Sequence, residues 1–197
     1  MNVFVLCTGR NGSVTFVRAC GHMTNFTAAH ESRVHLLGPE RLNFPDNHIE
    51  ADNRLSWFLG RLDKKYGDKA FYVHLIRDRA GTAESYNQRW VRERSIINAY
   101  TRGILMRPKE KGLEFCEDMY DTITENIEHF LKDKTQKMTV HLDTVKADFA
   151  EFWKAIGARG DLEAALAEWD VRNNPSEYLH PCPVVQKLQS FIKKHFR

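Results

Sequence analysis

Residues that could do chemistry gather early in the chain, where Val3-Phe4-Val5-Leu6 leads into Cys7-Thr8-Gly9-Arg10-Asn11-Gly12-Ser13-Val14-Thr15. An apolar run of this kind reads as a buried strand, broken at a glycine-flanked turn that carries a cation and hydroxyls, with a helix starting directly after it. Successive backbone N–H groups and the positive end of a helix dipole then point at one spot, and small residues let a phosphate approach the backbone. The plainer alternative is that Gly9 and Gly12 only make a tight strand-to-helix turn. A second run, residues 70–76, is rich in β-branched and aromatic residues and ends in Arg77-Asp78-Arg79, ahead of a helical stretch that contains Ser85. Taken alone, Arg77 could be a salt-bridge partner of Asp78 and Ser85 a solvated helix position.

The first loop lacks the Gly-Lys-Ser/Thr ending by which nucleotide-triphosphatase loops hold terminal phosphates and magnesium. Gly-Arg-Asn-Gly-Ser-x-Thr instead resembles the 5′-phosphosulfate loop of sulfotransferases, with Gly9 in place of a common proline and Asn11 in place of a serine. The second segment resembles the same family's pattern of an arginine at a strand end followed eight positions later by a serine, as Arg77 and Ser85 are spaced, although Arg79 stands where proline is common. The segment Met138-Thr139-Val140-His141-Leu142-Asp143, followed by a helical stretch closing in Ala155-Ile156-Gly157, is similar to the family's strand and Phe-Leu-Gly helix. In outline the resemblance covers residues 1–157.

The resemblance implies a P-loop-like α/β/α sandwich and 3′-phosphoadenosine 5′-phosphosulfate (PAPS) as donor. It assigns the 5′-phosphosulfate to Gly9, Arg10, Asn11, Gly12, Ser13, Val14 and Thr15, through backbone N–H groups from Asn11 to Thr15, the Ser13 and Thr15 hydroxyls, and Arg10. The 3′-phosphate falls to Arg77 and Ser85. Arg10 would also meet the charge that grows on the leaving oxygen. Several sulfotransferases place a glutamate about twenty residues past the loop cation, which corresponds to Glu31 as the base that takes the acceptor's proton. His30 is the adjacent rival, His35 a weaker one, and an ion pair to Arg33 the ordinary alternative for Glu31. Sulfuryl transfer has no evident need of a metal, because the group carries less charge than a phosphoryl and an arginine with backbone donors can meet it.

The elements that must position these residues alternate between strands and helices. Leu55, Phe58, Leu59 and Leu62 recur at helical spacing within residues 52–66, with Asp52 as a candidate N-cap and Gly67 as a stop. Cys116, Met119, Ile123, Ile127 and Phe130 do the same within residues 111–134. Such alternation predicts a parallel sheet covered on both faces, with ligands outside the carboxyl ends of the strands. The least regular stretches, residues 37–48 and 173–183, are the natural places for acceptor recognition.

At 197 residues the chain fits one domain, able to bury around 70% of its unfolded surface. Cys7, Cys20, Cys116 and Cys182 lie far apart and are expected to be reduced. The histidines form no ligand pattern, His180 and Cys182 being a lone pair in a Pro-rich turn. A net charge of +3 argues for no nucleic-acid partner, and no apolar run is long enough to span a bilayer, so the expectation is a cytoplasmic protein acting on a small-molecule or saccharide acceptor. Arg89, Arg92, Arg94 and Arg102 read as a solvated helix face, with contact to an anionic donor or acceptor as the alternative. The competing functions are a P-loop nucleotide kinase or other phosphotransferase, which would need the missing lysine, and a nucleotide-binding protein without turnover.

Overall fold

The computed structural model describes residues 1–171, so the irregular stretch 173–183, with His180 and Cys182, lies outside the described residues. Five parallel strands form one sheet: β1 (Val3–Leu6), β2 (Thr27–His30), β3 (His48–Ala51), β4 (Phe71–Ile76) and β5 (Lys137–His141), in the order β2-β3-β1-β4-β5. Parallel neighbours must be joined by crossovers, and the helices of those crossovers cover the sheet. On one face lie α2 (Leu59–Tyr66), α3 (Arg79–Asn87), α4 (Ile96–Ala99) and α5 (Leu113–Leu131); on the other, α1 (Ser13–Cys20), α6 (Val145–Ala155) and α7 (Leu162–Ala167). This is the expected α/β/α arrangement.

Strand parity shows how the sequence builds it. Along β1, Phe4 and Leu6 join the cluster with Tyr72, Leu62 and Met119, whereas Val3, Val5 and the following Cys7 join Phe16, Phe149 and Phe152 on the opposite face. All of β1 is buried, as a central parallel strand with helices on both sides must be. The aromatic rings of Phe16, Phe149, Phe152 and Trp169 pack at centroid distances of 5.1–6.2 Å and lock α1 against α6. Cys7, Cys20 and Cys116 are free and buried. Among the described residues no helix is long and apolar enough to cross a membrane.

Three expectations need correction. Residues 52–66 are not one helix: Asp52 caps a 3-10 turn, Asn53–Trp57, by accepting from the Arg54 N–H, and Phe58 (φ −123°, ψ 21°) breaks the path before α2 begins. Strands β2 and β3 add to the three strands legible in the sequence, β3 beginning where the irregular stretch 37–48 ends. Lastly, α3 ends at Asn87, so Arg89 and Arg92 lie beyond a helix end rather than along a solvated helix face.

Candidate active site

In the order β2-β3-β1-β4-β5, the crossover leaving β1 runs to one side and the crossover leaving β4 to the other. Their carboxyl ends therefore border a crevice at the point where the winding reverses, the usual ligand position in an open parallel sheet. A cavity of about 990 Å³ opens there, and its wall includes Gly9, Arg10, Gly12 to Thr15, Arg77 and Ser85.

The cradle is a run of left-handed backbone, with Gly9 at φ 86°, Arg10 at 65° and Gly12 at 87°. Gly12 directly precedes α1, whose first residues Ser13, Val14 and Thr15 line the cavity, and its carbonyl starts the helix by accepting from Phe16 N at 2.9 Å. Gly9 is demanded twice. Its φ is costly for any other residue, and a Cβ there would lie 2.2 Å from Tyr86 Oη and 2.8 Å from Asn53 Nδ2. The reason for this closeness is that the Tyr86 hydroxyl donates to the Thr8 carbonyl at 2.7 Å and pins the loop to α3. Asn11 is wholly buried and points away from the cavity, its Nδ2 donating to the Leu75 carbonyl of β4. That bond ties the ends of β1 and β4 together.

The two segments that resemble phosphate sites meet. Arg10 Nε donates to Ser85 Oγ at 2.9 Å, and Arg77 Nη1 donates to the Arg10 carbonyl at 3.2 Å. Arg77 also lies 3.6 Å from Asp78 Oδ2, the salt bridge that its sequence context allowed. Asp78 in turn caps α3 by accepting from Gly81 N at 2.6 Å.

His30 and Glu31 reach the cavity from the end of β2. His30 Nε2 is 3.0 Å from Ser13 Oγ, and Glu31, at φ 51°, is ion-paired with Arg54 at 2.7 Å rather than with Arg33. Arg33 instead donates to the Glu40 carbonyl, and His35 does not line the cavity. The strained Glu31 turn is held from beneath. Its amide donates to the Ala51 carbonyl at 3.1 Å, and the fully buried Glu50 carboxylate accepts from Ser32 N and Ser32 Oγ at 2.7 Å each and contacts His48 Nε2 at 3.1 Å. Arg54 is placed likewise: Asp52 accepts from its amide at 2.8 Å while paired with the buried Arg41, and burial raises the Asp52 carboxyl above its usual range. Arg54 escaped sequence reasoning because nothing in its immediate context separates it from any surface arginine.

Arg89, Arg92 and Arg94 also stand on the wall. Burial, with Arg10 and Arg92 nearby, lowers the Arg89 guanidinium to about 10. Leu142 and Trp169 close the floor at Gly12, where a Cβ would come within 3.0 and 3.3 Å of them.

No protein-family model matches this sequence, and no curated protein sequence matches it. Solved structures do. The sulfotransferase domain from the curacin biosynthetic pathway is similar at a TM-score of 0.60 and 13% identity, over 90% of this chain and 80% of that one. Mouse sulfotransferase SULT7A1, solved in complex with PAP, is similar at a TM-score of 0.50 and 13% identity, over 89% of this chain and 61% of that one. At such identity the likeness concerns architecture: the chain has a sulfotransferase-like fold.

Proposed function

We propose that this protein is a sulfotransferase that moves the sulfuryl group of PAPS to a hydroxyl or amine of its acceptor. The observation that carries the reading is the meeting of two sequence segments 75 residues apart, each resembling a phosphate-binding segment of that family, through the Arg10 to Ser85 hydrogen bond at the β1/β4 crevice. The donor set suits a nucleotide with two oxyanions. Left-handed glycines bring backbone N–H groups and the start of α1 to one side, and two guanidiniums with the hydroxyls of Ser13 and Ser85 stand beside them. The SULT7A1 structure, which contains PAP, supports the same class of donor.

In this reading Gly9 to Thr15 and Arg10 hold the 5′-phosphosulfate, and Arg77 and Ser85 the 3′-phosphate. The donor supplies the sulfuryl group and the phosphate that leaves it. Glu31 is the base: Arg54 fixes the carboxylate through Oε2, and Oε1 takes the proton of the acceptor hydroxyl as it attacks sulfur. His30, set by Ser13, orients the acceptor beside it. Arg10 stabilises the charge that builds on the leaving oxygen, an interaction stronger in the transition state than before it.

Calorimetry with PAP and with adenosine 5′-phosphate tests the donor assignment. PAP is expected to bind the wild type much more tightly than the 3′-hydroxyl analogue, and Arg77→Ala to erase most of that difference. Equal losses for both nucleotides would refute it. Thermal shift with PAP against ATP plus magnesium separates this reading from a kinase, since a ligand that binds only the folded state raises stability by mass action.

A further inference from the structure

We propose that the pocket contains a third oxyanion site, centred on Arg89, which receives a negatively charged group of the acceptor; this rests on the sulfotransferase reading above. Arg89 follows the end of α3, where its amide donates to the Tyr86 carbonyl at 2.7 Å, and it lines the cavity while only 7% exposed. Its Nε and Nη2 are buried and meet no acceptor. These two nitrogens share one edge of the guanidinium plane, with parallel N–H bonds, and so form the fork that takes a carboxylate or a sulfate or phosphate ester side-on.

A charge buried without a counter-ion is costly, and a guanidinium cannot escape the cost by losing its proton near neutral pH. Even lowered to about 10, Arg89 stays charged. The carboxylates on the cavity wall do not meet it: Glu31 is paired with Arg54, Asp78 with Arg77 and Asp170 with Lys146, Glu84 and Asp143 make no ion pair with it, and among the described residues no carboxylate pairs with Arg89. The missing partner is therefore a ligand oxyanion.

Its position says which ligand. Arg89 comes four residues after Ser85, to which Arg10 donates at 2.9 Å, so it stands on the wall of the same cavity that an acceptor must enter to reach sulfur. The donor's two phosphate positions already have Arg10 and Arg77. Beyond Arg89 the wall continues through the exposed Arg92 and Arg94, which would draw an anionic acceptor in from solvent.

The test follows Arg89 itself. Nitrogen-15 spectra of the arginine side chains, with the Arg89 Nε signal assigned by its loss in Arg89→Gln and by through-bond spectra of the wild type, are recorded while sodium sulfate is titrated into PAP-saturated protein. Sodium chloride at matched ionic strength is the reference. The expected result is a saturable shift at Arg89. Calorimetry should give a sulfate affinity at least tenfold weaker in Arg89→Gln and several-fold weaker in Arg89→Lys, which keeps the charge without the fork and serves if the glutamine variant does not fold. PAP affinity should stay within about twofold of wild type in both. A signal unmoved by sulfate in the PAP-loaded protein overturns the proposal. So does a signal that responds to sulfate only until PAP is added, which would give the site to the donor. Failure of the wild type to bind PAP at all is a separate result, which brings down the functional reading and the acceptor assignment with it.

Discussion

Replacing Gly9 by alanine tests whether the cradle's shape is enforced by its surroundings. Two separate costs arise from the geometry. At φ 86° the added Cβ crowds its own backbone, worth about 1–2 kcal/mol. It would also lie 2.2 Å from Tyr86 Oη, so the phenol must move and give up its 2.7 Å bond to the Thr8 carbonyl, leaving two buried polar groups unpaired at about 1–3 kcal/mol. Together these predict a loss of roughly 3–4 kcal/mol, which for a domain of this size lowers the melting temperature by about 10 °C. Tyr86→Phe removes the colliding oxygen and should cost about 1–2 kcal/mol alone. In that background Gly9→Ala meets only the backbone strain and Asn53, so the double variant should be more stable than the two single effects predict by about 1.5 kcal/mol. Urea denaturation of the four proteins measures this directly. Additivity within about 0.5 kcal/mol would mean that Tyr86 and Gly9 do not share the space the structure gives them.

Glu31→Gln is expected to keep fold and PAP affinity while cutting turnover about 100-fold or more, in line with general base catalysis, and near-normal turnover with a large loss in His30→Ala would move the role to the neighbour. Arg54→Ala should lower turnover as well, by releasing the Glu31 carboxylate, but leave calorimetric PAP affinity unchanged. Arg10→Ala should reduce turnover more than donor affinity, and a change confined to the dissociation constant would make its part purely one of binding. Burial, with His141 nearby, lowers His74 from 6.5 to about 4. The folded state thus resists a proton that the unfolded chain accepts, and His74 contributes stability that is fully present above about pH 6.5 and lost as pH falls towards 4. Melting temperature against pH should be flatter over that window in His74→Gln than in the wild type, and parallel curves would refute the assignment.

The sequence reveals elements in proportion to how far one kind of signal controls them. Strands β1 and β4 are runs of apolar and β-branched residues because both faces are covered by helices, and that pattern is visible without a structure. Strands β2 and β3 hide because Thr27-Ala28-Ala29-His30 and His48-Ile49-Glu50-Ala51 carry polar residues that a strand hydropathy pattern rejects. The burial of His48 and Glu50 is made tolerable by hydrogen bonds, Glu50 to Ser32 and His48, and His48 Nδ1 to Thr27 Oγ1 at 2.8 Å. Partners such as Ser32 and Thr27, which lie 18 and 21 residues from the groups they meet, leave no periodic trace. The same holds within the site. Arg10, Arg77 and Ser85 stand in recognisable local contexts, whereas Arg54 and Arg89 matter only through neighbours that folding supplies.

The strand order also bears on how the molecule is made. The cradle belongs to the first turn of chain to be synthesised, but β1 is the middle strand and finds its two neighbours only when β3 and β4 have followed it. Until residue 85 has been added, Arg10 has no Ser85 to engage, and until β5 arrives β4 is still an open edge. A nascent chain therefore carries Val3–Leu6 without a sheet partner until residue 51 and with only one until residue 76, a period in which its apolar surface calls for a chaperone and not for the nucleotide.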